Sequence, residues 1–516
     1  MERIRLEIKV LSSIFVAIFM SLAFAQDFNY ANMLYSENCT TCHGADHGHY
    51  IGPALNKDSL AKLPEVAVAA IIKGGVGGSL MPPWGQRFSD DQINQLAAML
   101  KATPKSDVVW DMRDIKNSIE VYIAKSSLPD SPQYKISDLD SLMAVMSRGT
   151  FSNGENSKVV FFNGENNKVV GEVVTWTAPH LVDYHPTNER WAYAKTDGGR
   201  IFKIDLYSMK ATRSVKVGYS GPSLAVSWDG RYLATGSFVP NTVVILDSDT
   251  LMPIKYLELS GIDPDGKMVV SDSGSITATP YGNYFAIALE NAGQVWIADL
   301  NREDIPITKI KNVGRHLHDA FLTKDGRYLT IAAYDDSKLA VIDFKTKTVV
   351  KDIPAGCVPH TGSGAITKVG DRMLGFGTNF GSGSGCDKTV VTVFDTANFE
   401  VVKQIPVIGG TESPAAHPDA PYVAVDIISG SNADKIQLID KNSLEVVKTL
   451  APGGHSHFPE YTADGKYLYV SAGYAGNKLV IFDSKTLKVV KEVSLEVPAG
   501  IFSHVRPDIV TVGLGK

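Results

Sequence analysis

The run Cys39-Thr40-Thr41-Cys42-His43 reads C-x-x-C-H. Two thiols three positions apart can each add across a vinyl group of one porphyrin, and the histidine that follows is placed to become an axial ligand of its iron. The run predicts covalently attached haem c, held by Cys39 and Cys42, with His43 on the metal. A second set of chemically capable residues lies far downstream: His180 in Thr-Ala-Pro-His, His318 in Leu-His-Asp, His360 in Pro-His-Thr-Gly-Ser-Gly, and the pair His455 and His457. Imidazole titrates near neutrality, so such residues can ligate a metal or cofactor and can hand protons to a bound anion. Cys357 and Cys386 are the only other cysteines. A disulfide between them is permitted outside the cytoplasm, but their spacing does not say whether they meet.

The haem motif needs a small scaffold, and residues 26–104 supply the pattern of one. Tyr30 to Cys39 can form a helix that ends at the motif. Ser89-Asp90-Asp91-Gln92 is a helix start, with Ile93, Leu96, Ala97 and Leu100 following at helical spacing. Between them a Gly-rich loop leads into Ser79-Leu80-Met81-Pro82-Pro83-Trp84. This stretch resembles the distal-ligand loop of class I cytochromes c, in which the prolines hold an extended chain and aim the thioether of Met81 at the iron. His/Met ligation raises the reduction potential and suits electron transfer. His47 and His49, close after the motif, are rival ligands.

Arg3, Arg5 and Lys9 precede an apolar run from Val10 to Phe24, and Ala23-Phe24-Ala25 is an A-x-A cleavage signal. Residues 1–25 therefore read as a cleaved signal peptide, shorter in its apolar part than the ~20 residues of a membrane helix, and the mature protein is expected in the periplasm. The 516 residues are 44% hydrophobic and 21% charged, an ordinary folded composition too long for a single small core. A net charge of -6 offers no basic field for nucleic acid.

Residues 105–140 form a join, and from 141 to 516 the texture is strands and turns. Asp229-Gly230-Arg231-Tyr232-Leu233 recurs as Asp325-Gly326-Arg327-Tyr328-Leu329 and Asp464-Gly465-Lys466-Tyr467-Leu468, 96 and 139 residues apart. Those separations are near two and three periods of ~47, the length of a four-stranded propeller blade. A second turn, strand-Asp-x-x-Thr-Leu, joins the other strand pairs. Seven clear units and a leading one near Val145, completed by the C-terminal strand, make an all-β eight-bladed propeller behind a small all-α cytochrome c domain. His180, His318, His360, His455 and His457 fall at one phase of this repeat, so they belong at one end of the propeller, where loops converge on the axis.

A CxxCH domain with an M-P-x-W loop followed by eight blades resembles the cytochrome cd1 family over essentially the whole mature chain. Leu317-His318-Asp319 and Pro359-His360-Thr361-Gly362-Ser363-Gly364-Ala365 are similar to two of its segments. The resemblance implies a non-covalent haem d1 in the propeller. It implies His180 as the axial ligand of that haem, and Arg148 and Arg200 as partners of its carboxylates. His318 and His360 become proton donors to nitrite: NO2⁻ + 2H⁺ + e⁻ → NO + H₂O. It also implies a periplasmic electron donor, a small cytochrome c or cupredoxin, and a homodimer. Two alternatives stand beside nitrite reduction. One is the paralogous dihydro-haem d1 dehydrogenase, which makes the last double bond of d1 and whose C-terminal histidine near an E-[FY]-T segment is matched by His455 and His457 before Glu460-Tyr461-Thr462. The other is a non-catalytic carrier of electrons or d1.

Overall fold

The DG turns and the Asp-x-x-Thr turns determine where the chain reverses. Gly230, Gly326 and Gly465 sit at φ +75°, +70° and +65°, a backbone that only glycine adopts without strain. Each also abuts a side chain of the preceding blade, respectively His185, Pro280 and His417, so the turn glycine is a blade-to-blade contact as well. At the other turn, Asp247 Oδ1 accepts hydrogen bonds from the amide and hydroxyl of Thr250 at 2.7 and 2.6 Å, and Asp483 does the same with Thr486 at 2.7 and 2.8 Å. The carboxylate nucleates a local turn that competes with continuing the strand.

The computed structural model describes residues 29–36, 38–44, 47, 54–57, 59–75, 81, 84–103, 109–149, 157–219, 221, 223–383, 386–473 and 476–506. The chain divides into two compact units, Met1–Val108 and Val109–Lys516.

In the first unit the haem-motif helix α1 (Thr40–His43) is followed by α2 (Glu65–Gly74) and α3 (Asp90–Ala102). The expected cap of α3 is a full capping box: Ser89 Oγ accepts from Gln92 N, and Gln92 Oε1 accepts from Ser89 N at 2.9 Å. Ile93, Leu96, Ala97 and Leu100 are buried along one face. Gln92 also donates to the Tyr30 hydroxyl at 2.7 Å, tying the start of the unit to its last helix. Residues 1–25, expected to be a signal peptide, lie outside the described residues, and no described helix is long and apolar enough to cross a membrane.

The second unit is an eight-bladed propeller of four-stranded antiparallel sheets. Blade 1 is closed by the chain's last strand: Pro498–Ser503 is its innermost member, ahead of Leu142–Ser147, Lys158–Asn163 and Lys168–Val174. Joining the two ends of the chain in one sheet removes the open edges of the ring. The innermost strands of blades 2 to 8 begin at Pro179, Leu224, Ser273, Leu317, Ala365, Pro414 and Glu460. The segment from Trp110 packs on blade 2: Ile115 is fully buried among Trp191, Ile201 and Val215, and Glu120–Val121 adds a fifth strand to that sheet. Cys357 and Cys386 form a disulfide, Cα–Cα 5.7 Å, at the base of a two-stranded excursion in blade 6. A second excursion, Ser260–Ile262 with Met268–Val270, leaves the ring between blades 3 and 4.

The closing strand should carry a disproportionate share of stability. Ile501 is 1% exposed in the interface of blades 1 and 8, so Ile501→Ala should cost about 2–5 kcal/mol in chemical denaturation. Ile262→Ala, on the protruding excursion at 46% exposure, should change it by less than about 0.5 kcal/mol.

Candidate active site

The side chains with chemical capability gather at one end of the propeller from two recurring positions. One is the start of each innermost strand, which supplies His180, His318 and, just ahead of the strand, His360 and His457. The other is the residue just after each second strand, which supplies Arg148, Asp197, Glu290 and Tyr334. Because successive strands run antiparallel, both positions face the same mouth.

Blades 1 and 2 form one wall. His180 Nδ1 donates to Asp197 Oδ1 at 2.9 Å, and Arg148 Nη2 makes a short ion pair with Asp197 Oδ2. Asp197 is buried, which alone would raise its carboxyl; Arg148 and His180 outweigh burial and hold it at about 2. Beneath it Lys195, fully buried, donates to Thr235 Oγ1 at 2.7 Å and to the carbonyls of Ser223 and Gly236. Burial pushes Lys195 down to about 7, with Asp197 pulling it back.

Blades 4 to 8 form the opposite wall. His318 Nδ1 donates to Asp319 Oδ1 at 2.9 Å, and His360 Nε2 stands 3.1 Å from Asp319 Oδ2. One carboxylate thus clamps both imidazoles, whose centroids are 5.1 Å apart. His360 Nδ1 donates to the Glu412 carbonyl at 3.0 Å, so both of its ring nitrogens are engaged. Tyr334 stacks on His318 at 4.9 Å and Phe380 lies 4.5 Å from His360. His457 Nδ1 donates to Glu412 Oε2 at 2.6 Å. Burial would lower the His318 imidazolium, but Asp319, Glu290 and Glu412 raise it to about 9. Burial likewise opposes the charge on His457, and Glu412 reverses the balance and raises it. Asp319 and Glu412 are each held at about 2 against burial, Asp319 chiefly by His360 and His318 and Glu412 chiefly by His457. Burial pushes Glu290 up to about 8.

Arg200 is placed away from this mouth. Its Nη1 donates to Ser214 Oγ at 2.7 Å and pairs with Glu120 at 3.4 Å, so it ties the outer strands of blade 2 together. His417 lies at the opposite end, donating from Nε2 to the Ala463 carbonyl at 2.9 Å against the DG turn of blade 8. Asp197, Glu290, Glu412 and Lys195 did not stand out in the sequence. The signal that locates the first two is their position directly after a second strand.

In the first unit, His43 is buried at the end of the motif helix, and the Tyr35 hydroxyl donates to the Gly44 carbonyl at 2.7 Å, closing the turn behind it. The His47 ring is buried and stacks on Tyr35 at 4.0 Å. Met81 is partly buried; His49, Pro82 and Pro83 lie outside the described residues.

The donor sets fit two iron porphyrins. The first offers the Cys39 thiol at the cap of the motif helix and the buried imidazole of His43 at its end, the side chain of Cys42 lying outside the described residues. The second offers an imidazole on blade 2, with a guanidinium on the same carboxylate, across from imidazoles on blades 5 and 6, three and four places round a ring of eight. Residues 137–507 match the family model for the Cytochrome D1 heme domain. The chain belongs to that family. Residues 27–100 match the model for cytochrome c oxidase, cbb3-type, subunit III, a c-type cytochrome domain. The cofactors are accordingly haem c in the first unit and d1 haem in the propeller. The dihydro-heme d1 dehydrogenase of Pseudomonas aeruginosa PAO1 is 26% identical over 472 residues, covering 91% of this chain and 92% of that protein. The nitrite reductase of Stutzerimonas stutzeri is 23% identical over 534 residues, covering 93% of each. The solved structure of dihydro-heme d1 dehydrogenase NirN in complex with DHE superposes with a TM-score of 0.73 at 26% identity, over 92% of this chain and 98% of that one.

The clamp on His318 has a measurable sign. Its folded pKa of about 9 lies above the ordinary 6.5, so its contribution to stability is full below about 6.5 and is lost as pH rises through about 9. Asp319→Asn removes the first-named carboxylate, so the His318 ring resonance should titrate at lower pH and the alkaline slope of stability should flatten, read by NMR and by melts from pH 6 to 10.

Proposed function

We propose that this protein is a dihydro-haem d1 dehydrogenase: it oxidises a saturated side chain of a d1 precursor to an alkene and passes the electrons to its own haem c. Both domains have counterparts in the dehydrogenase from Pseudomonas aeruginosa, at higher identity than in the nitrite reductase. The observation that carries the reading at the level of residues is the carboxylate backing of the imidazoles at the mouth. Asp319 and Glu412 are held ionised at its wall, and His360 spends one ring nitrogen on Asp319 and the other on a carbonyl. An imidazole with both nitrogens engaged has no proton to give nitrite without breaking a hydrogen bond. The same carboxylates suit proton removal, because an imidazole backed by a carboxylate is the stronger base. The expected nitric oxide-forming activity therefore gives way to its alternative.

The reaction balances as R–CH2–CH2–R′ → R–CH=CH–R′ + 2H⁺ + 2e⁻. Two C–H bonds break and one C=C bond forms, and a haem c held by Cys39, Cys42 and His43 would supply the one-electron chemistry that takes up the electrons. His457 is the general base. Glu412 at 2.6 Å orients the ring and stabilises the imidazolium that forms when Nε2 takes the proton. His180, braced by Asp197, is the residue that would hold the tetrapyrrole iron, and Arg148, anchored on the same carboxylate, would pair with a carboxylate of the substrate. Electrons flow outward in this reaction, so the periplasmic partner, a small cytochrome c or cupredoxin, is an acceptor.

Anaerobic incubation of the oxidised holoprotein with dihydro-haem d1 should yield d1 with two electrons recovered per turnover, while nitrite with the reduced protein should give negligible nitric oxide. Rapid nitric oxide release without d1 formation would reverse the assignment. His457→Ala should slow d1 formation by about 10²–10⁴-fold with tetrapyrrole binding retained. The base acts unprotonated and Glu412 raises its pKa, so the rate should climb with pH over a range higher than that of an ordinary imidazole. Glu412→Gln should move that climb to lower pH while lowering the plateau.

A further inference from the structure

Arg506 is 5% exposed and follows the closing strand of blade 1. Ser503 ends that strand at the end of the propeller away from the histidines. There His504 donates to Asp140 at 3.0 Å and meets Tyr184 edge-on at 4.6 Å. From this point the chain turns inward. Arg506 Nη2 donates to the Gly364 carbonyl of blade 6 at 3.0 Å, and Nε stands 3.0 Å from Glu460 Oε2 of blade 8. A side chain carried by blade 1 that touches blades 6 and 8 can do so only from the axial shaft. Gly364 and Glu460 both lie between the histidine-bearing mouth and the turns at the far end, so the guanidinium forms a floor beneath the site.

That floor is under-used. A guanidinium has five N–H donors, and buried donors without acceptors are costly. Among the described residues Nη1 has no hydrogen-bond acceptor, and Nε, although close to Glu460, is not aligned with it. On the two segments that Arg506 bridges, the hydroxyls of Thr361 and Ser456 are also buried without partners among the described residues. Glu460 spends Oε1 on the Tyr461 amide at 2.9 Å, which leaves only Oε2 beside the guanidinium.

The ring geometry suggests what reaches this floor. His180 on blade 2 faces His318 and His360 on blades 5 and 6 across the axis. A flat ligand gripped between those walls stands with its plane along the shaft and one edge pointing down it.

We propose that Arg506 is a substrate-binding residue, receiving from below one carboxylate of the tetrapyrrole that stands on edge in the shaft. The arrangement couples substrate seating to closure of the ring, because the residue that reads the lower edge is carried by the strand that completes blade 1. The proposal rests on a tetrapyrrole occupying the shaft and not on its being oxidised, so bound substrate without d1 formation would sink only the dehydrogenase reading.

The test is an absorption titration of the full-length, haem c-bearing protein with dihydro-haem d1 and, in parallel, with its carboxyl methyl esters. Arg506→Met alone leaves a buried carboxylate unpaired, so it is combined with Glu460→Gln, which removes both charges together. The double variant should bind the free acid about tenfold or more weakly than wild type, with ester affinity unchanged within about twofold. Arg506→Lys, which keeps charge but loses the fork, should fall between. The haem c spectrum and the melting curve report the fold. Acid binding equal to wild type in all variants would mean the donors serve water alone, and equal weakening of acid and ester would mean a structural role. Either result, or failure of the wild type to bind the acid, overturns the proposal.

Discussion

A carboxylate removed from water must find positive charge or donors nearby, and this propeller buries several at one mouth. Asp197 is satisfied by His180 of its own blade and Arg148 of blade 1. Asp319 is satisfied by His318 of blade 5 and His360 of blade 6. Glu412, leading into blade 7, is satisfied by His457 of blade 8. Each pairing except His180–Asp197 and His318–Asp319 crosses a blade boundary. The charges that would be intolerable alone therefore pin neighbouring blades in one angular relation, and the cavity they surround inherits its shape from that requirement. Breaking any one pair leaves an uncompensated charge rather than a gap, which makes the arrangement all-or-none.

The same pairings decide the sign of the chemistry. A histidine facing water alone can both give and take a proton near neutrality. A histidine backed by a carboxylate holds its proton to higher pH, as His318 does. A site meant to protonate an incoming anion gains little from that, because a proton held to higher pH is given up less readily. A site that strips protons from a C–H bond gains a stronger base and a counter-charge for the cation it creates. The Leu-His-Asp segment, which in sequence argues for nitrite reduction, carries in its aspartate the group that argues against it.

The sequence was most legible where chemistry is local. CxxCH, the Ser89 capping box and the DG turns each act within five residues, and the blade period follows from the turns. Histidine phase was legible too, because an innermost strand begins at a fixed offset from its turn. Carboxylate partners were not, since Asp197 and Glu412 meet Arg148 and His457 across 49 and 45 residues. Arg200 illustrates the limit. It begins a strand near the mouth, yet its side chain runs outward along the sheet to Ser214 and Glu120, and only strand register tells that direction from the one Arg148 takes. The Cys357–Cys386 bridge was equally hidden, because the excursion that brings the cysteines together interrupts the blade repeat.

Forming one C=C bond releases two protons and two electrons, while a haem accepts electrons one at a time. In the proposed reaction each electron departure leaves a positive charge unless a proton leaves with it, so groups able to pass a proton on are needed beside the substrate. Three imidazoles, each tied to a carboxylate or to its neighbour, line the same wall. Glu290, pushed up to about 8, adds a fourth group able to carry a proton near neutrality. In the dehydrogenase reading proposed above, these carboxylate-backed imidazoles would both take the substrate's protons and hand them on, a role that calls for several titratable groups held close together in a buried mouth.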